Sequence, residues 1–358
     1  MKIGNIKVGG NNPIAIQSMT NTHTKDVKKT IAQIKALQKC GCEIVRVAVK
    51  DHEDATAISK IKKSVSIPIV ADIHFNYLLA IEAMENGADK IRINPGNINN
   101  KEHLKKIILK AKEYKIPIRI GLNSGSIDGA GVGAIQKAEA RGQRPEVVRE
   151  KLFINTVLEH IKFFEKNKFF DIVISLKSSS VQETISLHQK LSDKIKYPMH
   201  IGITEAGTKE KAIVKSSVGI GALLLQGIGD TIRVSITGDP VQEIKAAQDI
   251  LQACEIRQFR PNIVSCPTCG RCQVNLEKVV KQFEKALETM ARSSQLAVRC
   301  TVALMGCEVN GPGEAKHADI GIAFGKGSGV IFKKGKLLCK VSEKDAMKRL
   351  IAEIKGMI

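Results

Sequence analysis

Short apolar runs alternate with amphipathic stretches eight times before Cys254, and no other feature constrains the fold as strongly. Short apolar runs bounded by turn residues are typical of buried strands, whereas an apolar period of 3.6 residues predicts helices. Strands are predicted at residues 14–17, 44–47, 69–71, 90–93, 118–121, 172–176, 199–203 and 232–234. Helices are predicted between them, among others at residues 27–38, 77–86, 103–114, 181–191 and 241–252. This order predicts an α/β fold with an N-terminal TIM (β/α)8 barrel.

The length and composition predict two domains. A chain of 358 residues with 43% hydrophobic residues can bury a large core and is longer than one barrel. We expect the barrel at residues 1–255 and a smaller α+β domain at 256–358. The sequence has no apolar signal-peptide core near Met1 and no apolar run long enough for a membrane helix. We therefore expect a cytoplasmic protein without a membrane partner, since a C-x-x-C motif and an odd cysteine count favour a reducing compartment.

The second domain contains an incomplete set of cysteines for a metal site. Cys266 and Cys269 form a C-x-x-C pair, and Cys307 lies in a later segment that ends in Gly-Pro-Gly-Glu314. Structural zinc modules usually add a second pair of Cys or His ligands, which this sequence does not supply. Thiolates select zinc, copper or iron–sulfur clusters, whereas the Glu314 carboxylate is a hard ligand that holds cluster iron weakly. A weakly held iron is one that a substrate can reach.

Cys272 extends the pair to C-x2-C-x2-C, as in bacterial ferredoxins. That motif requires a fourth cysteine three residues further on, but this position is Leu276. We therefore predict a cluster held by Cys266, Cys269 and Cys307, with Cys272 as a nearby residue that is not a ligand. The other cysteines are predicted to pack as small hydrophobic side chains: Cys40, Cys42, Cys254, Cys300 and Cys339.

Polar side chains occur at or just after the C-terminal ends of the predicted strands. In a TIM barrel these ends converge on one face, where active sites form. The cations among them are Arg46, Arg92, Arg119, Lys177 and Arg233. Such a group repels itself unless an anion neutralises it, and arginine forks suit phosphate oxygens. We predict a di- or polyphosphate site, although any single arginine could instead form an ordinary ion pair.

Other polar residues at these ends have less specific signals. Asp72 and His74 could act only by orienting their neighbours. Glu205 is a candidate proton donor, on the condition that substrate binding keeps its carboxyl group protonated. The formal charge of +20 could indicate nucleic-acid binding, but the lysines are spread along predicted helix faces and the chain has no tryptophan. We interpret the charge as a solvated surface and expect no nucleic-acid partner.

Six segments together closely resemble the IspG/GcpE family of 4-hydroxy-3-methylbut-2-enyl diphosphate synthases, and the resemblance covers nearly the whole chain. The segments are Gln17-Ser-Met-Thr-Asn21, Val70-Ala-Asp-Ile-His-Phe75, Arg92-Ile-Asn-Pro-Gly-Asn97, Arg119-Ile-Gly-Leu-Asn123, Cys266-Pro-Thr-Cys-Gly-Arg271 and Asn310-Gly-Pro-Gly-Glu314. The resemblance implies a barrel that binds 2-C-methyl-D-erythritol 2,4-cyclodiphosphate and a second domain with a 4Fe-4S cluster. It also implies reductive opening of the cyclic diphosphate with loss of water, in the non-mevalonate isoprenoid pathway.

The resemblance also implies a role for each matching residue. The cluster ligands would be Cys266, Cys269, Cys307 and Glu314. The diphosphate would be held by Arg46, Arg92, Arg119, Lys177 and Arg233, with hydrogen bonds from Asn94, Asn123 and Ser235. Asn310 would lie beside the cluster, Glu205 near the reacting carbon, and Asp72 at a family motif position. Cys272 departs from the family pattern.

Two partners follow from this interpretation. Electrons would arrive one at a time from flavodoxin or ferredoxin. The helix after the eighth strand should end on the face opposite the substrate, near Gln252, so the cluster domain begins on the wrong side of the barrel. A head-to-tail homodimer, in which each cluster domain caps the barrel of its partner, is simpler than a taut linker, and the resemblance implies it as well.

Two other classes of protein remain as alternatives at this point. A zinc-stabilised barrel that handles a pterin or a sugar phosphate would explain the cations and make Glu314 incidental. A basic RNA-binding module would make the positive charge itself the function, with a steep salt dependence of binding. Iron and sulfide analysis of anaerobically purified protein distinguishes all three.

Overall fold

The computed structural model describes residues 1–125, 144–293, 300–309 and 317–357, with the backbone alone over 288–293. The chain divides into two compact units, Met1–Cys254 and Glu255–Ile358.

The first unit is a closed barrel of eight parallel strands, which confirms the predicted TIM barrel. Its strands are β3 (Ala15–Met19), β4 (Ile44–Val49), β5 (Ile69–Ile73), β6 (Lys90–Ile93), β7 (Ile118–Asn123), β8 (Ile172–Lys177), β9 (His200–Ile201) and β10 (Thr231–Ile232). They are hydrogen-bonded in the order β8-β7-β6-β5-β4-β3-β10-β9. A parallel bridge between Ile174 and Met199 joins the two ends of this order and closes the barrel.

Helices follow the strands and cover the barrel. They are α1 (Val27–Lys39), α2 (His52–Lys62), α3 (Tyr77–Glu85), α4 (Lys101–Tyr114), α5 (Pro145–Lys166), α6 (Val181–Ser192), α7 (Lys209–Leu224) and α8 (Val241–Ala253). Several helices follow a polar residue whose side chain accepts a hydrogen bond from a backbone N–H of the first turn. Asp51 before α2 and Ser180 before α6 are examples. Their buried residues, such as Ile34 and Leu37 of α1, recur at helical spacing and face the strands.

A short hairpin that the sequence pattern did not predict packs at the N-terminal end of the barrel. Its strands, β1 (Lys2–Ile3) and β2 (Ile6–Lys7), pair in antiparallel fashion. Ile3 and Val8 form one buried cluster with residues at the beginning of β3, β4 and β5: Ala15, Ile44 and Val70. This apolar cluster covers the end of the barrel at which the strands begin.

In the residues that the structure describes, the second unit has a five-stranded sheet and two helices. Its strands are β11 (Asn262–Ser265), β12 (Thr301–Met305), β13 (Ile320–Gly325), β14 (Ser328–Lys333) and β15 (Lys336–Ser342), and its helices are α9 (Leu276–Ser293) and α10 (Glu343–Lys355). The strands pair in sequence order, parallel from β11 to β13 and antiparallel from β13 to β15. Phe283 of α9 and Leu350 of α10 share one buried cluster with Val302 and Ile322 of the sheet. In the parts of both units that the structure describes, no helix is long and apolar enough to cross a membrane.

Candidate active site

Asp72 is the anion to which three cationic or basic side chains converge. Its carboxylate accepts a hydrogen bond from Arg92 Nη1 at 3.1 Å, and Arg46 Nε and His74 Nε2 lie 3.6 and 3.5 Å away. Burial alone would raise the pKa of the Asp72 carboxyl, but Arg46 and Arg92 hold it well below its ordinary range. Asp72 is therefore a permanent anion that orients two arginines, and Arg92 also donates to the carbonyl of Gly121 at 3.0 Å.

Arg119 is as deeply buried as the core of the barrel and forms no ion pair with a described residue, although the charge of the more distant Asp72 favours its protonated form. It is the second residue of β7 rather than a strand-end residue, so the sequence interpretation placed it too close to the barrel mouth. Its side chain is 1% exposed, and Nε and Nη1 have no hydrogen-bond partner among the residues that the structure describes. Burial, and then the nearby guanidinium of Arg46, lower the pKa of Arg119 well below its ordinary value. An unpaired buried cation is costly, and an incoming anion would remove that cost.

Lys177 is the last residue of β8, and the absence of a side chain on the neighbouring Gly202 leaves space for its ammonium group. A Cβ on Gly202 would lie 2.9 Å from the Lys177 ammonium and 2.3 Å from the carbonyl oxygen of Arg233. Burial, and then the charges of Arg119, Arg233, Arg46 and Arg92, lower the pKa of Lys177 well below its ordinary value.

Arg233 follows β10 and is paired with a carboxylate from the helix that comes next. Its Nη2 lies 3.3 Å from Oε1 of Glu243, and its Nε lies 3.5 Å from Oε2. The same residues explain why the eighth strand is shorter than predicted: after Ile232 the chain turns toward α8, where the Ile236 N–H donates to Glu243 at 3.1 Å.

The remaining predicted residues surround this group without forming a single network. Asn94 is buried, and its Oδ1 accepts the Gly96 N–H at 3.1 Å, which closes a tight turn after β6. Asn123 ends β7 directly opposite Lys177 in the ladder. Ser235 is partly buried, two residues beyond Arg233. Glu205 is exposed and has a φ of +52°, a left-handed conformation that non-glycine residues adopt rarely and often at functional sites.

Several polar residues inside the barrel were missed by the sequence interpretation. Lys90 is fully buried, and its Nζ has no hydrogen-bond partner in the described part of the barrel. Burial, and then Arg119 and Arg46, lower its pKa well below the ordinary value. Strand alternation could have found Lys90, because it precedes Arg92 by two residues and so points to the same side. The buried Gln17 and His200 also point inward, whereas Glu243 had no local signal.

Cations outnumber anions in this interior. Lys90, Arg46, Arg92, Arg119, Lys177 and Arg233 contribute positive charge, and Asp72 and Glu243 are the carboxylates that pair with them among the described residues. Uncompensated positive charge in a poorly solvated site attracts a multiply charged anion. This excess of positive charge makes the barrel interior a candidate anion site, and its arginine forks suit phosphate oxygens.

The cysteine loop, residues 266–272, follows β11 at one end of the sheet of the second unit. Because β11 and β12 are parallel with Ser265 opposite Leu304, Cys266 and the Gly306–Cys307 segment follow adjacent strand ends. The Gly306 N–H donates to Cys266 Sγ at 3.3 Å, and Gln273 N–H donates to the Gly306 carbonyl at 2.8 Å. Cys307 is buried, whereas Cys269 is exposed.

The Cys272 thiol has contacts of its own. It donates to the carbonyl of Val274 at 3.1 Å. A Cβ on Gly306 would lie 2.4 Å from this sulfur, so only glycine allows the two segments to approach so closely.

The donor chemistry of the loop suits an iron–sulfur cluster, because thiolates are its usual ligands and a backbone N–H already faces one of them. Across residues 1–125, 144–293, 300–309 and 317–357, no three His, Cys, Asp or Glu side chains are close enough together to hold a metal ion. The described side chains by themselves thus do not form a closed site. Glu314, the predicted fourth ligand, and Asn310 lie outside the described residues.

Comparison with known proteins matches both units to one family. Residues 1–248 match the GcpE TIM-barrel domain, and residues 262–356 match the GcpE protein C-terminal domain. The chain is 51% identical over 358 residues to a 4-hydroxy-3-methylbut-2-en-1-yl diphosphate synthase (flavodoxin) of Caldanaerobacter subterraneus, covering 100% of this chain and 96% of that protein. Proteins of the same name from Clostridium tetani and Caldicellulosiruptor saccharolyticus are 50% and 52% identical, covering 100% and 99% of this chain and 98% and 97% of theirs.

Proposed function

The chain belongs to the GcpE family of 4-hydroxy-3-methylbut-2-en-1-yl diphosphate synthases, and we propose that its barrel holds a cyclic diphosphate for reductive ring opening. It is an oxidoreductase of the non-mevalonate isoprenoid pathway. The substrate is 2-C-methyl-D-erythritol 2,4-cyclodiphosphate, whose ring is opened with loss of water. The observation that supports this best is the excess of buried cations in the barrel interior, because a diphosphate supplies the negative charge that balances them.

Each cation has a distinct part in holding this substrate. Arg92 is held by its hydrogen bond to Asp72, and Arg46 by the nearby Asp72 carboxylate and by donation to Met19 Sδ, so both present preorganised donors. Arg119 and Lys177 form no ion pair with any described residue, and the substrate phosphates neutralise them. Arg233 is the fifth cation of this phosphate clamp, which consists of Arg46, Arg92, Arg119, Lys177 and Arg233. Asn94, Asn123 and Ser235 add hydrogen bonds to the substrate.

The thiolates of Cys266, Cys269 and Cys307 would hold a 4Fe-4S cluster, with the Glu314 carboxylate as its fourth ligand. When bound, such a cluster supplies single electrons and a Lewis-acidic iron. Asn310, four residues before Glu314 in the sequence, is a further residue that the family resemblance assigns to this site. Glu205 delivers the proton with which water leaves, and its exposed, left-handed position on the loop after β9 suits a group that meets the substrate from outside the strands.

Flavodoxin is the electron donor, in accordance with the names of the relatives, and ferredoxin is the alternative. The nine cysteines are all unpaired, which is the state expected in the reducing cytoplasm.

Substrate binding should be accompanied by proton uptake. Burial and neighbouring arginines lower the pKa of Lys177, so at a pH above this lowered pKa the group is neutral before the anion arrives. Bound phosphate raises its pKa again, so the complex holds more protons than the separate components, and affinity falls as pH rises between the two pKa values. Calorimetric titration in buffers of different ionisation enthalpy measures this uptake. Lys177→Met should reduce it, and an identical uptake in this variant would exclude Lys177 as the source.

We further propose that two chains pair head to tail. Helix α8 begins with Glu243 beside Arg233 and ends near Cys40, whose carbonyl accepts from Gln248 at 2.8 Å. Cys40 precedes β4, so the chain leaves the barrel unit at the end opposite the clamp. A second chain can then place its cluster unit over this barrel mouth.

Mixed dimers test this pairing. A Cys307→Ser chain combined with an Arg119→Ala chain should regain part of the activity, because one of the two hybrid sites combines an intact barrel with an intact cluster. The measurement is turnover after mixing, with affinity tags on each chain to demonstrate heterodimers. Near-zero turnover despite demonstrated heterodimers would mean that each site is built from one chain.

The proposed function itself is tested on anaerobically purified protein. We expect about four iron and four sulfide per chain, the composition of a 4Fe-4S cluster, visible absorption that bleaches on reduction, and turnover of the cyclic diphosphate with reduced flavodoxin. Colourless protein that contains zinc instead would contradict it and favour a zinc-stabilised phosphate-binding barrel.

A further inference from the structure

Glu243 is a buried glutamate in the first turn of α8, and its carboxylate binds three different parts of the barrel unit. It is 3% exposed, at the third position of α8. Its Oε2 accepts from Ser18 Oγ at 2.7 Å, and its Oε1 accepts from the Ile236 N–H at 3.1 Å and from Arg233 Nη2 at 3.3 Å. One carboxylate thus joins β3, Arg233 and the loop that leads from Arg233 into α8.

The position of Glu243 in the helix accounts for only part of this arrangement. A carboxylate in the first turn interacts favourably with the helix dipole, and α8 begins at Pro240 without a side-chain cap. Glu210, in the first turn of α7, has the same favourable position but is exposed. Glu243 differs because its two oxygens face the barrel strands.

The contacts fix the orientation of the Arg233 guanidinium. Glu243 lies along the edge formed by Nε and Nη2, with distances of 3.5 and 3.3 Å. A planar guanidinium held along one edge presents its other edge in a defined direction. Ser18 in turn holds the carboxylate from the far side, on the strand that neighbours β10.

We propose that Glu243 is a positioning residue that holds Arg233 in the orientation in which it binds a substrate phosphate. This inference rests on the proposed function, since it assigns Arg233 to the clamp. Glu243 does not touch the substrate. Its effect is transmitted through Arg233, with Ser18 as the support of the carboxylate.

The direction in which substrate affinity changes when Glu243 is replaced distinguishes a positioning role from simple neutralisation of Arg233. If Glu243 only neutralised Arg233, its removal would leave the site more positive and the dianionic substrate would bind more tightly. If it positions Arg233, its removal releases the guanidinium and binding weakens although the site has gained positive charge. We expect Glu243→Gln to weaken binding of the cyclic diphosphate about 10- to 100-fold, by analogy with residues that orient the ligands of a metal site.

A double-mutant cycle on the holoenzyme tests this. The variants are Glu243→Gln, Arg233→Met and the double variant, with Glu210→Gln as the matched control, and the measurement is calorimetric affinity for the cyclic diphosphate. The double variant should bind no more weakly than Arg233→Met alone, because Glu243 has no route to the substrate once Arg233 is gone. The KM of Glu243→Gln should rise while its cluster absorption stays at the wild-type level.

Several outcomes would overturn the proposal. These are unchanged or tighter binding by Glu243→Gln, or losses in the two single variants that simply add. If Glu243→Gln does not fold, Ser18→Ala replaces it, for which we expect a smaller loss in the same direction, and an unchanged affinity there would overturn the proposal. Failure of the proposed function gives a different result: wild-type protein would not bind the cyclic diphosphate, or Arg233→Met would bind it as tightly as wild type.

Discussion

Replacing Cys266, Cys269 or Cys307 with serine is expected to abolish both the cluster and turnover, whereas Cys272→Ser should retain most of both. Serine is a hard oxygen ligand that holds cluster iron poorly, so each of the first three changes removes a required thiolate. The Cys272 thiol already has a different role, since it donates to the Val274 carbonyl at 3.1 Å and packs against Gly306. A serine hydroxyl can make the same hydrogen bond. Iron and sulfide content per chain, together with visible absorption, measures the result.

The matched control is Cys339→Ser, because Cys339 is a partly buried cysteine in β15 of the same unit and lies far along the chain from the loop. It should keep a full complement of iron. If Cys272→Ser empties the site while Cys307→Ser retains the cluster, the ligands follow the ferredoxin spacing and the assignment of Cys307 is wrong.

The barrel could be predicted because its signal is local and repeated. Each strand is a short apolar run, and each helix shows an apolar period of 3.6 residues. An error in the bounds of one element therefore does not change the predicted number of eight strand–helix units. The predicted bounds of β6 and β8 were within a residue of those observed. The hairpin β1–β2 was missed because each strand has only two residues, too few to show any period.

The chemistry of the site was predictable to the extent that it lies on the strands. Arg92 and Lys177 fall at strand ends, where a parallel barrel gathers its side chains. The depth of Arg119 was not predictable in this way, because a strand-end rule does not distinguish the second residue of a long strand from the last. Glu243 had no sequence signal at all, because its role depends on Ser18, which lies 225 positions away in the chain.

Arg119→Met is expected to weaken binding of the cyclic diphosphate by about 2 to 5 kcal/mol, the usual cost of losing a desolvated charge-assisted contact. The same change should leave the stability of the substrate-free protein unaltered or improved. In the structure Arg119 is 1% exposed, and its Nε and Nη1 have no hydrogen-bond partner in the described part of the chain. Removing a buried charge that lacks a partner relieves a desolvation cost, so binding and stability should change in opposite directions.

Arg92→Met is the contrasting variant, because Arg92 is also buried and its Nε also lacks a partner among the described residues, but its Nη1 and Nη2 bind Asp72 and the Gly121 carbonyl. The substitution removes the hydrogen bond from Arg92 to the buried Asp72 carboxylate. Breaking a buried ion pair in this way costs about 3 to 5 kcal/mol of stability. Thermal unfolding with and without substrate, combined with calorimetric affinity, distinguishes the two arginines. Arg119→Met should show an undiminished midpoint without substrate and a much smaller increase when substrate is added. If its midpoint instead falls as far as that of Arg92→Met, Arg119 supports the barrel, and its unpaired nitrogens do not mark the place of a phosphate.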